Sequence, residues 1–271
     1  MQSHQHLPDA NRLSIVAAVI LLAYALTPFV TLPERLISLQ LPGFLFEMRL
    51  DFTTVVAVLV SLLAAAGTDW LIQTHPHLEG QVRLPHWLLP ALTAWAIGVP
   101  LTTLEVGVEW WVVFALGGLL FILVMLAEYI VVDPQDIRHA PASIGLTAVS
   151  FALYLVLAVS VRAAELRLYT LLMILAPTLF LVSLRSLYLR SGGRWFISWA
   201  VGITLVVSQL AAGLHYLPLS PLRFGLVLLA VAYGVTSLAG GVEEGRAWKT
   251  VWIEPAVMMA VLVGLSLLVR A

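Results

Sequence analysis

From residue 13 onward, long apolar runs alternate with short polar breaks. Nine runs fall at about 13–31, 52–73, 86–104, 110–131, 143–161, 169–190, 195–214, 221–240 and 252–269. A stretch of about 18 or more apolar residues is enough to cross a bilayer as a helix. Helices are the expected form, because a backbone in lipid must satisfy its own hydrogen bonds. A membrane β-barrel would instead show alternating segments of about ten residues. The pattern therefore predicts an all-α polytopic bundle of nine transmembrane helices. It forms a single multi-pass domain over residues 13–271, behind an N-terminal tail at 1–12.

The breaks carry stop and start signals. The glycines of SGGR (191–194) follow a basic last turn, and Pro134 in VDPQD (132–136) cannot continue the fourth run. Pro221 and Pro255 sit in first turns, where a missing N–H costs nothing, whereas Pro177 lies mid-run and should kink the sixth helix. The first run has no small-x-small cleavage site, so it reads as a retained helix rather than a signal peptide.

The longest break, 32–51, has a different rhythm. Phe44, Phe46, Met48 and Leu50 alternate with Leu45, Glu47, Arg49 and Asp51, and this period of two predicts an extended segment. It would lie at the headgroup boundary, or serve as a cap or a docking edge. Two other breaks match without gaps: EGQVRLPHWLLPA (79–91) and EGRAWKTVWIEPA (244–256). Both link an even-numbered run to the next odd one. A duplication would produce this match and would favour a transporter-like scaffold. So would shared interfacial chemistry, in which a Trp anchors at headgroup depth and a Pro starts the helix.

Composition agrees with a lipid environment, at 61% hydrophobic and 11% charged residues. A net charge of −1 leaves no basic stripe for nucleic acid. With no cysteine, there can be no disulfide, thiolate nucleophile or zinc–thiolate site. Lys249 is the single lysine among 14 basic residues, a bias that points to a GC-rich bacterial genome. Eight of those basic residues fall on the N-terminal side of the bundle and six on the other. The positive-inside rule then places the N-terminus in the cytoplasm and the C-terminus outside a cell inner membrane.

Within the runs, few residues could carry chemistry. Asp69, Glu128 and Arg185 fall near one level on three helices that run in the same direction. Ionised groups in a membrane are costly, so Arg185 is expected to meet Glu128 or Asp69. His75 and His77 flank Pro76, with His86 at the start of the third run and His139 in another break, and these are read as surface histidines. Glu244, next to Glu243 and near Arg246, is a further secondary candidate. No catalytic residue, metal site or cofactor is assigned: the chain has no P-loop, no G-x-S-x-G elbow, no pair of aspartate-rich motifs and no two histidines at helical spacing within runs. Small residues at Ala64–Gly67, Gly117–Gly118, and Ala230 with Gly234 should let helices approach closely.

The scarcity of polar groups inside the runs favours a structural or accessory subunit, or an assembly scaffold, partnered by the lipid bilayer and by other membrane-protein subunits. The alternative is a small transporter or lipid-binding protein that uses the Asp69, Glu128 and Arg185 level. An enzyme is the least favoured class.

Overall fold

Every apolar run becomes a helix in the computed structural model, which describes residues 8–30, 35–41, 44–50, 52–76 and 83–268. The order is α1 (Ala10–Leu26, extended by a 3-10 turn at Thr27–Phe29), β1 (Arg35–Leu41), β2 (Phe44–Leu50), α2 (Phe52–Ile72), α3 (Leu84–Thr103), α4 (Val108–Val131) and α5 (His139–Ala163). There follow α6 (Leu168–Arg190), α7 (Ile197–His215), α8 (Pro221–Glu243), α9 (Trp248–Val251) and α10 (Ile253–Leu268). Among the described residues, nine helical segments are long and apolar enough to cross a membrane, the last of them Lys249–Leu268. They match the nine runs to within a few residues.

Local chemistry sets several of the ends. Asp9 caps α1, its side chain accepting from the Asn11 N–H at 2.9 Å. Proline stands in the first turn of both α3 and α8. The VDPQD stop is built from two tight side-chain turns, in which Asp133 accepts the Gln135 N–H at 2.9 Å and Asp136 accepts the Arg138 N–H at 2.8 Å.

The extended segment of the 32–51 break is β2, and it has a partner that its own rhythm did not announce. β1 and β2 form an antiparallel pair with Leu41 opposite Phe44, Leu39 opposite Phe46 and Ile37 opposite Met48. The bundle is thus helical throughout apart from this one hairpin among the described residues.

By internal contacts the chain divides into two compact units, Met1–His139 and Ala140–Ala271. In the first, α3 packs against α2 and α4, and α1 packs against α2 and α4. Its core joins Ile20 and Tyr24 of α1, Val60 and Leu71 of α2, Ala94 and Ile97 of α3, and Phe121 and Met125 of α4. Two polar groups inside this core reach backbone carbonyls. The Tyr24 hydroxyl donates to Ala94 O at 2.6 Å, and the Trp110 indole donates to Leu101 O at 3.0 Å. At Gly67 α1 and α2 lie close together, since a Cβ there would overlap the Val16 methyls.

In the second unit α8 packs against α6, α7 and α10. Here Gly234 is the close-approach point, with the Met259 side chain filling the space a Cβ would take. Phe151 of α5 meets the Tyr233 ring of α8 edge-on at 5.2 Å. Both units thus place small residues at helix contacts, as the sequence pattern suggested for Gly67 and Gly234.

The outward faces are apolar. Val112, Leu116, Leu119 and Leu123 form an exposed stripe along α4, and Val257, Val261 and Leu265 form another along α10. Continuous apolar stripes of this length are stable against lipid or protein rather than water.

Candidate functional site

Four side chains of the first unit meet at one end of its bundle. α2 brings Asp69 in its last turn, α3 brings His86 and Trp87 in its first, and α4 brings Glu128 near its end. His86 and Trp87 are consecutive on α3, so they point about 100° apart around the helix. Each therefore reaches a carboxylate on a different neighbour. His86 Nδ1 lies 2.9 Å from Glu128 Oε2, and Trp87 Nε1 donates to Asp69 Oδ1 at 3.2 Å. The first turn of α3 clips α2 and α4 together.

The two clips differ in environment. His86 and Glu128 are both buried, with side chains 4% and 0% exposed, so their contact is a shielded one. Which of the two atoms donates depends on the tautomer of His86. Asp69 sits nearer the surface and is well supplied: Gln73 Nε2 donates at 2.7 Å, and Arg83 Nη1 lies 3.7 Å away. Arg12 of α1 joins the same end, donating to Trp70 O at 2.7 Å with its guanidinium over the Trp70 ring at 4.9 Å.

Histidine burial departs from the sequence reading. His75 and His86 are not on the surface but 5% and 3% exposed. His75 packs edge-on against the Tyr129 ring, 4.8 Å between centroids. His139 is half-buried at the start of α5, its N–H bonded to Asp136 O at 2.9 Å. His77 lies outside the described residues. Among the described residues, no three His, Asp or Glu side chains are grouped so as to hold a metal ion.

Arg185 belongs to the second unit, while Asp69 and Glu128 belong to the first. Its side chain is 1% exposed on α6, with the guanidinium 5.5 Å from the Tyr188 ring one turn along. Glu244 ends α8 at the centre of a different network. It accepts from Arg190 Nε at 2.9 Å through one oxygen and pairs with Arg246 Nε at 2.7 Å through the other. Arg190 also donates to Ser237 at 3.1 Å, and Ser237 donates to Glu254 at 3.1 Å, which ties α6, α8 and α10 together.

The sequence reading missed the His86–Glu128 pair. It compared depth only among helices running in one direction. The first turn of an odd helix lies at the same end as the last turn of an even one, and that relation would have brought His86 beside Glu128.

One group between the helices titrates in a defined direction. The Asp136 carboxyl is held below the usual carboxylate range, chiefly by the hydrogen bond from Arg138, with further help from the Arg138 backbone N–H and charge and from His75; burial opposes the shift. A depressed folded-state pKa adds stability that is fully present above the unfolded value, about 3.9 for Asp, and is lost as pH falls through the folded value. Arg138→Gln should therefore lower the melting temperature at about pH 5 and above and change it little near pH 2, which flattens the acid side of a plot of melting temperature against pH. An unchanged acid limb would show that the pair contributes nothing to folding.

Residues 32–269 match the model of a family described as protein of unknown function (DUF5656). The chain belongs to this family. The match takes in the hairpin and every helix from α2 to α10 and leaves out α1. No curated protein and no solved structure matches the chain. Family membership and the nine apolar helices together describe a membrane protein, with no activity attached.

Proposed function

We propose that the chain is a multi-pass protein of the cell inner membrane, N-terminus in the cytoplasm and C-terminus outside, acting as a structural or accessory subunit. The observation that supports this reading is where the intramembrane polar groups direct their hydrogen bonds. Thr68 donates to Ala64 O, Thr93 to Leu89 O, Ser150 to Leu146 O, Thr178 to Ile174 O and Thr236 to Ala232 O, each at 2.7 Å. These hydroxyls turn back onto their own helices, four residues earlier. A path for a polar solute would need such groups to face a hydrated cavity instead. The buried acid of the first unit is likewise engaged with His86, and Asp69 with Trp87, Gln73 and Arg83.

The exposed stripes of α4 and α10 supply surfaces on which another membrane protein could pack. Native mass spectrometry of the protein gently extracted from its own membrane tests this. The accessory reading expects a partner protein at fixed stoichiometry. A chain that emerges without protein partners but with a retained small solute would contradict it, and would shift the reading to transport at the Asp69 and Glu128 end.

A further inference from the structure

The second unit holds a cavity of about 480 Å³ at the end of its bundle opposite the Glu244 network. Arg162, Glu165, Arg167, His215, Leu219 and Pro221 line it. These residues come from the end of α5, the start of α6, the end of α7 and the start of α8. Four ends of apolar helices therefore meet at one cavity, at the depth where a bilayer changes from acyl chain to headgroup.

Arg162 is built into this place. Its Nη1 donates to His215 O at 3.1 Å and its Nη2 to Leu217 O at 3.0 Å, with the guanidinium 5.5 Å from the Phe224 ring. In this way it closes off the C-terminus of α7, where carbonyls lack helical partners and a cation is favoured. Both acceptors are neutral, so the positive charge is positioned but not cancelled. Its Nη1 also lies 3.5 Å from His215 Nδ1; among the described residues no carboxylate lies within ion-pair distance of Arg162, and two of its five N–H groups remain beyond these three contacts.

Two further features favour an anion. Ser220 Oγ is shielded from solvent and has no hydrogen-bond partner among the described residues, and Ser220 lies between the lining residues Leu219 and Pro221. It also stands at the N-terminus of α8, a helix of 23 residues whose first N–H groups lack helical acceptors. Glu165 gives the same wall one negative charge from an exposed loop position with φ of 50°. Two arginines beside one glutamate complement a phosphate that carries an amine. Exposed Tyr216, Leu217 and Leu222 next to the cavity suit the glycerol and acyl region of a lipid.

We propose that this cavity binds a phospholipid headgroup, taking the phosphodiester on Arg162 and Arg167 and the ammonium of an ethanolamine-type lipid on Glu165. The site belongs to the second unit and does not depend on the accessory reading.

The test is native mass spectrometry of the full chain, delipidated in detergent and then titrated with phosphatidylethanolamine, phosphatidylglycerol or inorganic phosphate. The expected result is tighter binding of phosphatidylethanolamine than of phosphatidylglycerol. Arg167→Gln should weaken both lipids about tenfold, the loss of one charge-assisted hydrogen bond. Glu165→Gln should weaken only the amine-bearing lipid. Arg162→Gln should weaken both lipids and also lower the melting temperature, because it uncaps α7. Arg167→Gln leaves that cap in place and keeps the test open if the Arg162 variant fails to fold. Lipid binding unchanged in Arg167→Gln would overturn the proposal, as would inorganic phosphate binding as tightly as lipid. Equal affinity for the two lipids would overturn the ammonium assignment to Glu165.

Discussion

Replacing Glu128 by leucine is expected to cost about 3 kcal/mol of stability, read as a lower melting temperature in detergent. The side chain is fully enclosed, and its removal leaves His86 Nδ1 buried without the acid that faces it at 2.9 Å. His86→Leu should cost a similar amount, since it removes the same buried 2.9 Å contact from the other side. The double variant Glu128→Leu with His86→Leu should recover part of the loss, with a coupling of about 1–3 kcal/mol, as for residues in one hydrogen-bonded pair. An apolar pair can fill such a site nearly as well as a polar one, so the recovery reads out the pairing itself. Losses that simply add would remove the basis for treating the first turn of α3 as a clip.

Gly67→Val is expected to be comparably severe, at about 3 kcal/mol. A side chain at position 67 would drive into Val16, whose Cγ2 lies only 2.9 Å from the place a Cβ would take. Val16 is β-branched and stiff at χ1, so it cannot swing aside cheaply. Gly202 supplies the control, because a Cβ there meets nothing within 4 Å. Gly202→Ala should be neutral or slightly stabilising, since alanine is the better helix former. Equal responses at the two positions would show that close approach is not what position 67 provides.

The architecture was readable because bilayer thickness imposes a length on each apolar run, and the run boundaries are marked by proline, glycine and charge. β2 was readable from its period of two, while β1 was not: RLISLQL mixes its rhythm, and the useful signal was Pro42–Gly43 between two apolar stretches. The small residues at Gly67 and Gly234 announced their role because volume is a property of the residue itself. The partners of Glu128 and Asp69 were harder to find. A carboxylate in an apolar run announces that it needs a partner, but which helix supplies it depends on neighbour relations that no run length encodes. His86 and Trp87 are ordinary first-turn residues in the sequence. They become a clip only when α3 lies between α2 and α4. The surroundings of Arg162 are hidden in the sequence for the same reason, since the carbonyls that orient it come from more than 50 residues away.

All of these interpretations stand on nine apolar helices crossing a membrane. The absence of cysteine makes single-cysteine labelling a clean measurement of that claim, because each introduced thiol is the sole one in the chain. Gln135→Cys and Ala247→Cys probe breaks after even-numbered spans, and Glu105→Cys, Ala164→Cys and Pro218→Cys probe breaks after odd-numbered ones; all five positions are exposed. In intact cells treated with an impermeant maleimide, one set should label and the other only after the membrane is opened; the orientation proposed above makes the second set the one that labels first. Labelling of both sets from the same side would contradict the nine-span account.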